Sequence, residues 1–223
     1  MLELRREGPV FVLVWNDGEN RFRDDSLRAW NLALDEVDAA EGPKALVTTG
    51  TGKFFSNGLD LDWAFREARE RVPEFLLDVL AVLGRVLTLA CPTVAAANGH
   101  AFGAGAQLVV AHDMRVMRVD RGFFCMPEID MRAWLHGGMT ALLRARLPAQ
   151  TAHEAIVTGR RYGGEEARVA GIVEHAVPEA ELLPKALALA GALAPKAHPA
   201  MQRLKADLYR EVLAALRQRE PLG

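Results

Sequence analysis

Three short segments of this chain carry the residue types that could stabilise and move charge on a small organic ligand. The first is Phe54-Phe55-Ser56-Asn57-Gly58-Leu59-Asp60-Leu61, preceded by Lys53. The second is Ala97-Asn98-Gly99-His100-Ala101-Phe102-Gly103-Ala104-Gly105-Ala106-Gln107, and the third Arg121-Gly122-Phe123-Phe124-Cys125-Met126-Pro127-Glu128-Ile129-Asp130. Glycines let backbone N–H groups approach a ligand closely, because no Cβ intervenes. A helix opening at Gly103-Ala104-Gly105 adds the positive end of its dipole and several unpaired donors. Two such loops facing one another would form an oxyanion hole, whereas either alone reads equally well as a turn whose glycines supply positive φ. Glu128, flanked by Met126, Pro127 and Ile129, would sit in apolar surroundings. Desolvation there favours the neutral acid, which suits a base that must also return its proton. The competing reading is a solvated carboxylate, or an ion pair with Arg121 or Arg132.

Other chemistries find less support. Gly99, Gly103 and Gly105 do not reproduce the dinucleotide-binding spacing, and the phosphate-loop motif with its lysine and hydroxyl is absent. No His, Asp and Glu spacing argues for a metal. His100 and His112 read as packed or solvated groups, and Cys125 as a small buried hydrophobe. Two cysteines, Cys91 and Cys125, argue against a disulfide scaffold. A formal net charge of -2 removes a nucleic-acid footprint. No apolar run approaches the ~20 residues of a membrane-spanning helix, and Leu2-Glu3-Leu4-Arg5-Arg6-Glu7 places charges where a secretory signal needs an apolar core.

The elements that must position these segments are legible from periodicity. With 223 residues, 50% of them hydrophobic, the chain can bury a sizeable core without staples. Val10 to Trp15 and Ala45 to Thr49 are short apolar runs that read as buried strands, as do Thr93 to Ala97, Met114 to Val119 and Ile172 to Val177. Asp24-Asp25-Ser26 offers N-cap side chains to a helix carrying Leu27, Trp30, Leu34 and Val37, stopped by Gly42-Pro43. Further helices fit Phe75 to Leu89, Ala104 to Ala111, Met139 to Leu147, Ala149 to Val157, Glu165 to Ala170, Glu179 to Leu193 and Ala200 to Leu216. Strands alternating with helices predict parallel α/β units, with helices alone towards the C-terminus. Asp60 reads as an N-cap or loop-ordering group, and Trp63 and Phe65 as helix packing.

Taken together and in this order, the three segments resemble the crotonase superfamily, also called the enoyl-CoA hydratase/isomerase family, over roughly Leu2 to Val177. Phe54-Phe55-Ser56-Asn57-Gly58 and His112-Asp113-Met114-Arg115-Val116-Met117-Arg118 are similar to the short plant-type Δ3,Δ2-enoyl-CoA isomerases. The resemblance implies an α/β fold, a ClpP-like spiral of repeated ββα units with a C-terminal helical section. Residues 1–178 would be the core, and 179–223 a section for trimerisation and a lid on the CoA pocket. It implies that the N–H groups of Leu59 and Ala104 hold the thioester oxygen of an acyl-CoA. Lys53, Ser56, Asn57, Gly58, Asp60, Leu61 and Gly103 would line the CoA arm, and Trp63, Phe102, Gln107, Trp134 and His136 would shape an acyl pocket, with His136 a candidate auxiliary acid or base.

Two departures from the family pattern matter. Family hydratases carry two glutamates, but here the first position is Gln107 and only Glu128 remains. Adding water asks for two coordinated acid/base groups. Moving a double bond by one carbon asks for one carboxylate that takes a proton from C2 and delivers it to C4. The expectation is therefore a Δ3,Δ2-enoyl-CoA isomerase of fatty-acid β-oxidation. The alternatives are another acyl-CoA reaction (hydration, decarboxylation or thioester hydrolysis) or a non-catalytic acyl-CoA-binding subunit. After Glu128, a turn that is often glycine-rich reads Met131-Arg132-Ala133-Trp134-Leu135-His136-Gly137-Gly138. No cofactor is expected beyond the CoA of the substrate, and no metal. The expected partners are further copies of the chain, as a homotrimer or dimer of trimers, with neither nucleic acid nor membrane. The ending Glu220-Pro221-Leu222-Gly223 lacks a Ser-Lys-Leu signal, so a cytoplasmic location is the default expectation.

Overall fold

Strands that are apolar on both faces need cover on both sides, and the architecture supplies it. The computed structural model describes residues 1–67 and 69–219, so the ending Glu220 to Gly223 lies outside the described residues. A six-stranded sheet holds β1 (Leu2–Glu7), β2 (Val10–Trp15), β3 (Ala45–Gly50), β5 (Thr93–Ala97), β7 (Met114–Arg118) and β9 (His175–Val177), side by side in that order. β1 runs antiparallel to β2 and every other pair is parallel. Phe11, Leu13, Trp15, Leu46 and Ala95 point into one core, while Val10, Val12, Val47, Val94 and Ala96 point into a second. That alternation explains why the runs look uniformly apolar.

A second, three-stranded sheet is built from β4 (Phe54–Ser56), β6 (His100–Phe102) and β8 (Phe124–Cys125), all parallel. Each of these short strands follows a strand of the large sheet and precedes a helix. After β3 and β4 come α2 (Leu61–Glu67) and α3 (Val72–Leu87). After β5 and β6 comes α4 (Ala104–Ala111), and after β7 and β8 comes α5 (Gly137–Arg146). This is the expected spiral of ββα units. β4, β6 and β8 were expected as loops, because two or three residues cannot display a period.

α1 (Asp24–Ala39) puts Leu27, Trp30, Leu34 and Val37 into the first core, where the Trp30 ring meets Trp15 edge-on at 5.7 Å. Its N-cap is Arg23 rather than the Asp24 to Ser26 run. Those residues form the first turn, and Ser26 Oγ accepts the Arg23 N–H at 2.8 Å. β9 is shorter than the expected Ile172 to Val177, since Gly171 (φ 72) turns the chain and buries Ile172 and Val173 ahead of the strand. α6 (Ala149–Thr158) and α7 (Gly164–Val169) follow α5.

The C-terminal section begins with α8 (Glu179–Leu193), whose Leu182, Ala186 and Ala190 cover the second core. The expected helix from Ala200 to Leu216 is two helices, α9 (Pro199–Leu208) and α10 (Arg210–Leu216), broken at Tyr209 where φ is -108°. α10 lies flush on α5, for a Cβ at Gly138 would fall 2.7 Å from the Leu216 Cα. Lys205 of α9 reaches inward to the Leu89 and Cys91 carbonyls (3.2 and 3.0 Å) and to Asp113 (2.6 Å). These helices thus close over the chain's own core. No helix among the described residues is long and apolar enough to cross a membrane.

Candidate active site

The first loop is held by a segment 30 to 40 residues earlier in the chain. Asn20, buried and in the left-handed region at φ 53, donates to the Phe54 and Phe55 carbonyls at 3.0 and 3.2 Å. Ser56 Oγ donates to the Asn20 carbonyl at 2.6 Å and accepts the Gly58 N–H at 3.2 Å. Asn57 is tied to Glu19 through its backbone N–H (2.9 Å) and its side-chain amide (2.7 Å). Phe22 then brackets Leu59: its N–H donates to the Gly58 carbonyl at 2.8 Å, and its carbonyl accepts the Asp60 N–H at 3.1 Å. In such a parallel bridge the groups of the bracketed residue point the other way. The Leu59 N–H accordingly finds no backbone acceptor among the described residues.

The second loop delivers the matching donor. Gly103, at φ 52 and ψ -120, turns β6 into α4 and donates its N–H to the Cys125 carbonyl at 3.1 Å. Ala104 is the first residue of α4, so its N–H is one of the orphans a helix start exposes. The two loops touch. A Cβ at Gly58 would lie 2.8 Å from the Phe102 carbonyl oxygen and 3.1 Å from the Ala104 nitrogen. α4 presses so closely on β4 that a Cβ at Gly105 would fall 2.2 Å from the Ser56 carbonyl oxygen.

The third segment brings the acid to the same corner. A Cβ at Gly103 would lie 3.4 Å from Glu128 Oε1, which puts the carboxyl beside the start of α4. Glu128 is half-buried, and its Oε2 is buried without a partner among the described residues. Burial pushes the carboxyl above the ordinary glutamate range, against the pull of its own backbone N–H. The turn behind it closes with Ala133 N–H donating to the Glu128 carbonyl at 2.9 Å, and Arg132 takes the positive φ of 56 that a glycine would suit.

α4 is also fixed from below. His112 is fully buried, with Nδ1 2.7 Å from the Leu108 carbonyl and Nε2 2.9 Å from Thr48 Oγ1. Arg146 donates to the Val110, His112 and Asp113 carbonyls at 3.1, 2.6 and 3.1 Å. Burial pushes the His112 imidazole down to about 4. A histidine buried neutral binds no proton where the unfolded chain, near 6.5, already does. Its contribution to stability is therefore present above pH 6.5 and is lost as the pH falls towards 4. We expect about 2 kcal/mol of that loss to vanish in His112→Asn, measured by urea unfolding at pH 7 and pH 4.5.

The other residues expected at the site are placed as follows. Gly58 and Gly103 stand where the two loops and Glu128 meet, and Leu61 is the first residue of α2. Lys53 is exposed, its Nζ over the Phe54 ring. Ser56 has no exposed surface, and its hydroxyl holds the loop through the Asn20 carbonyl. Asp60 accepts the Trp63 N–H at 3.1 Å and caps α2, with Arg21 and Arg23 at 3.8 and 3.7 Å. Trp63 packs edge-on against Phe75 at 5.3 Å. Phe102 stacks with His100 and Phe54 under Arg161. Gln107 is wholly buried, and Trp134 stands half in solvent. His136 caps α5: Nδ1 accepts the Gly138 N–H at 2.9 Å, and Nε2 faces the Gln218 carbonyl at 3.1 Å. Its ring is thereby committed to the junction of α5 with the C-terminus. The segment from Glu19 to Phe22, which shapes the first loop, escapes the sequence reading. The positive φ that Asn tolerates at Asn20, just after the Gly18 turn, is its one local signal. Among the described residues no group of three or more His, Cys, Asp and Glu could hold a metal ion.

A spiral of ββα units with one desolvated carboxyl beside the start of α4 frames the site. The chain belongs to the enoyl-CoA hydratase/isomerase family, whose pattern it matches over residues 11–220. It is 37% identical over 190 residues to "Enoyl-CoA delta isomerase 2, peroxisomal" of Arabidopsis thaliana, covering 81% of this chain and 79% of that one. It is 33% identical over 211 residues to the carnitinyl-CoA dehydratase of Salmonella paratyphi A, covering 94% and 80%. A probable enoyl-CoA hydratase of Mycobacterium tuberculosis shares the fold at a TM-score of 0.89 and 24% identity, covering 97% of this chain and 91% of that one.

Proposed function

We propose that this enzyme moves the double bond of a 3-enoyl-CoA to the conjugated trans-2 position. The observation that carries this reading is the single carboxyl beside Gly103, Glu128, with a buried amide, Gln107, where the resemblance implies a hydratase's second acid. Glu128 takes the C2 proton, and the electron pair left behind spreads to the thioester oxygen. The Leu59 and Ala104 N–H groups, aimed at that oxygen, gain strength as its charge grows, and such a donor is worth ~10²–10³ in rate. The protonated Glu128 then delivers the same proton to C4, and the double bond settles between C2 and C3. A raised carboxyl pKa suits both halves, since the group must accept and then release one proton.

The CoA arm lies along Lys53 to Leu61, whose backbone the Glu19 to Phe22 segment holds in place. CoA enters as part of the substrate, and the reaction needs no further cofactor. The assembly is a homotrimer or dimer of trimers, and Leu204 and Leu208, exposed on α9, offer apolar surface for contact between copies. The likeness to a carnitinyl-CoA dehydratase favours one second reading, the reversible loss or addition of water.

A panel of 2-enoyl-, 3-enoyl- and 3-hydroxyacyl-CoA esters of varied length, read by absorbance and mass, tests the choice. The isomerase reading expects 3-enoyl-CoA to gain the conjugated thioester absorbance with no change of mass. A product heavier by one water from 2-enoyl-CoA, with 3-enoyl-CoA untouched, would establish the hydratase instead. Released free CoA or a loss of carbon dioxide would overturn both.

A further inference from the structure

Two buried side-chain acceptors on the segments that form the site have no partner among the described residues, Gln107 Oε1 and Glu128 Oε2. Gln107 has no exposed surface, and its Nε2 lies 3.9 Å from Met126 Sδ, two residues before Glu128. Glu128 Oε1 lies against Gly103, one helical turn before Gln107, whose N–H donates to the Gly103 carbonyl at 3.0 Å. Long side chains on a helix lean back towards its N-terminus, which carries the Gln107 amide towards Gly103 and the carboxyl. With Nε2 turned to Met126, the amide presents its oxygen. Two unpartnered acceptors that meet in a dry corner would oppose each other unless a hydrogen lay between them.

Resting on the isomerase reading, we infer that Gln107 is a positioning residue whose Oε1 accepts the hydrogen that Glu128 gains from C2, holding the acid in one orientation until that hydrogen leaves for C4. The C2–H bond breaks as the O–H bond of Glu128 forms, and the O–H bond breaks as C4–H forms. Gln107 exchanges nothing. A neutral amide can hold the acid form without opposing the carboxylate by charge, whereas a second carboxylate would resist ionisation of the first. No charged side chain acts on Glu128, whose carboxyl responds to burial and to its own backbone N–H. The titratable neighbours on its segment are Cys125 and Asp130, and Arg161 acts on the Cys125 thiol, which contacts the Gly159 carbonyl.

The test compares wild type, Gln107→Met and Gln107→Glu. Its readouts are the pH dependence of kcat on 3-enoyl-CoA and the infrared carboxyl band of the free enzyme, assigned by its loss in Glu128→Gln. Gln107→Met fills the space without an acceptor. It should lower kcat roughly tenfold, the value of one hydrogen bond, leave KM within about twofold and move the Glu128 titration to lower pH. Gln107→Glu keeps an acceptor and adds a like charge, so the titration should move to higher pH. A Gln107→Met enzyme that titrates where the wild type does overturns the proposal, even if kcat falls, because packing alone would do that. Should Gln107→Met fail to fold, an unmoved titration in Gln107→Glu overturns it equally. A wild type with no turnover of 3-enoyl-CoA would defeat the isomerase reading by itself, while the infrared titration would still decide whether the amide meets the acid.

Discussion

Replacing Glu128 by Gln lowers kcat for isomerisation of 3-enoyl-CoA by ~10²–10⁴ and leaves acyl-CoA affinity within a few-fold. The substitution keeps the shape of the side chain and its place beside Gly103, but an amide cannot take a proton from carbon. Gln107 cannot stand in, being an amide itself, and His136 is committed to its cap and to the Gln218 carbonyl. The residual rate is what the clamp provides without a base. Stopped-flow or steady-state absorbance at the conjugated thioester band measures the loss, and calorimetric titration with a saturated acyl-CoA measures the affinity. Turnover at the wild-type rate would remove Glu128 from the mechanism.

On the proposed mechanism, the same carboxyl should set the pH behaviour of both activity and stability. Its working form is the ionised one and its pKa is raised, so activity is lost as the pH falls through a value above the ordinary glutamate range. A folded-state pKa above the unfolded one stabilises the fold at low pH, and that contribution fades as the pH rises through the folded value. Glu128→Gln, neutral throughout, should therefore melt above the wild type at neutral pH and lose that advantage on acidification. A buried base kept ionised for chemistry is a stability cost that the rest of the core offsets.

What the sequence discloses follows how locally each feature is determined. β2 and β3 are legible because burial on both faces forces unbroken β-branched and apolar runs, and α8 is legible to both ends because Pro178 and its small-residue face mark it. β4, β6 and β8 are illegible because nothing in two or three residues shows that they pair with one another. The three loops are visible as glycines and one acid. Their meeting rests on contacts such as Ser56 with Asn20, 36 residues apart, which no window reveals. The cap that His136 forms is hidden for the same reason, since the Gln218 carbonyl it faces is 82 residues away. Residue type announces chemistry only when the partners that could absorb it are also known.

Gly58→Ala should cost ~10²–10³ in kcat, the loss of one oxyanion donor, while the protein still folds. The new methyl group would lie 2.8 Å from the Phe102 carbonyl oxygen and 3.1 Å from the Ala104 nitrogen, so the two loops must part beside the proposed donors. Phe102 and Ala104 are backbone anchored in β6 and α4 and cannot swing away as a flexible side chain would. The added Cβ also strains the backbone at φ 77, by roughly 1–2 kcal/mol. Gly52→Ala separates the two effects. It has φ 66 and nothing within 4 Å of the Cβ, so it carries comparable strain with no clash. Gly52→Ala should lose only the stability that strain costs, Gly58→Ala should lose more because of the backbone clash, and Gly58→Ala alone should lose activity, with the deficit in kcat more than in KM. Equal activity in the two would mean that the loops can part without harm, and the developing negative charge would then need another home.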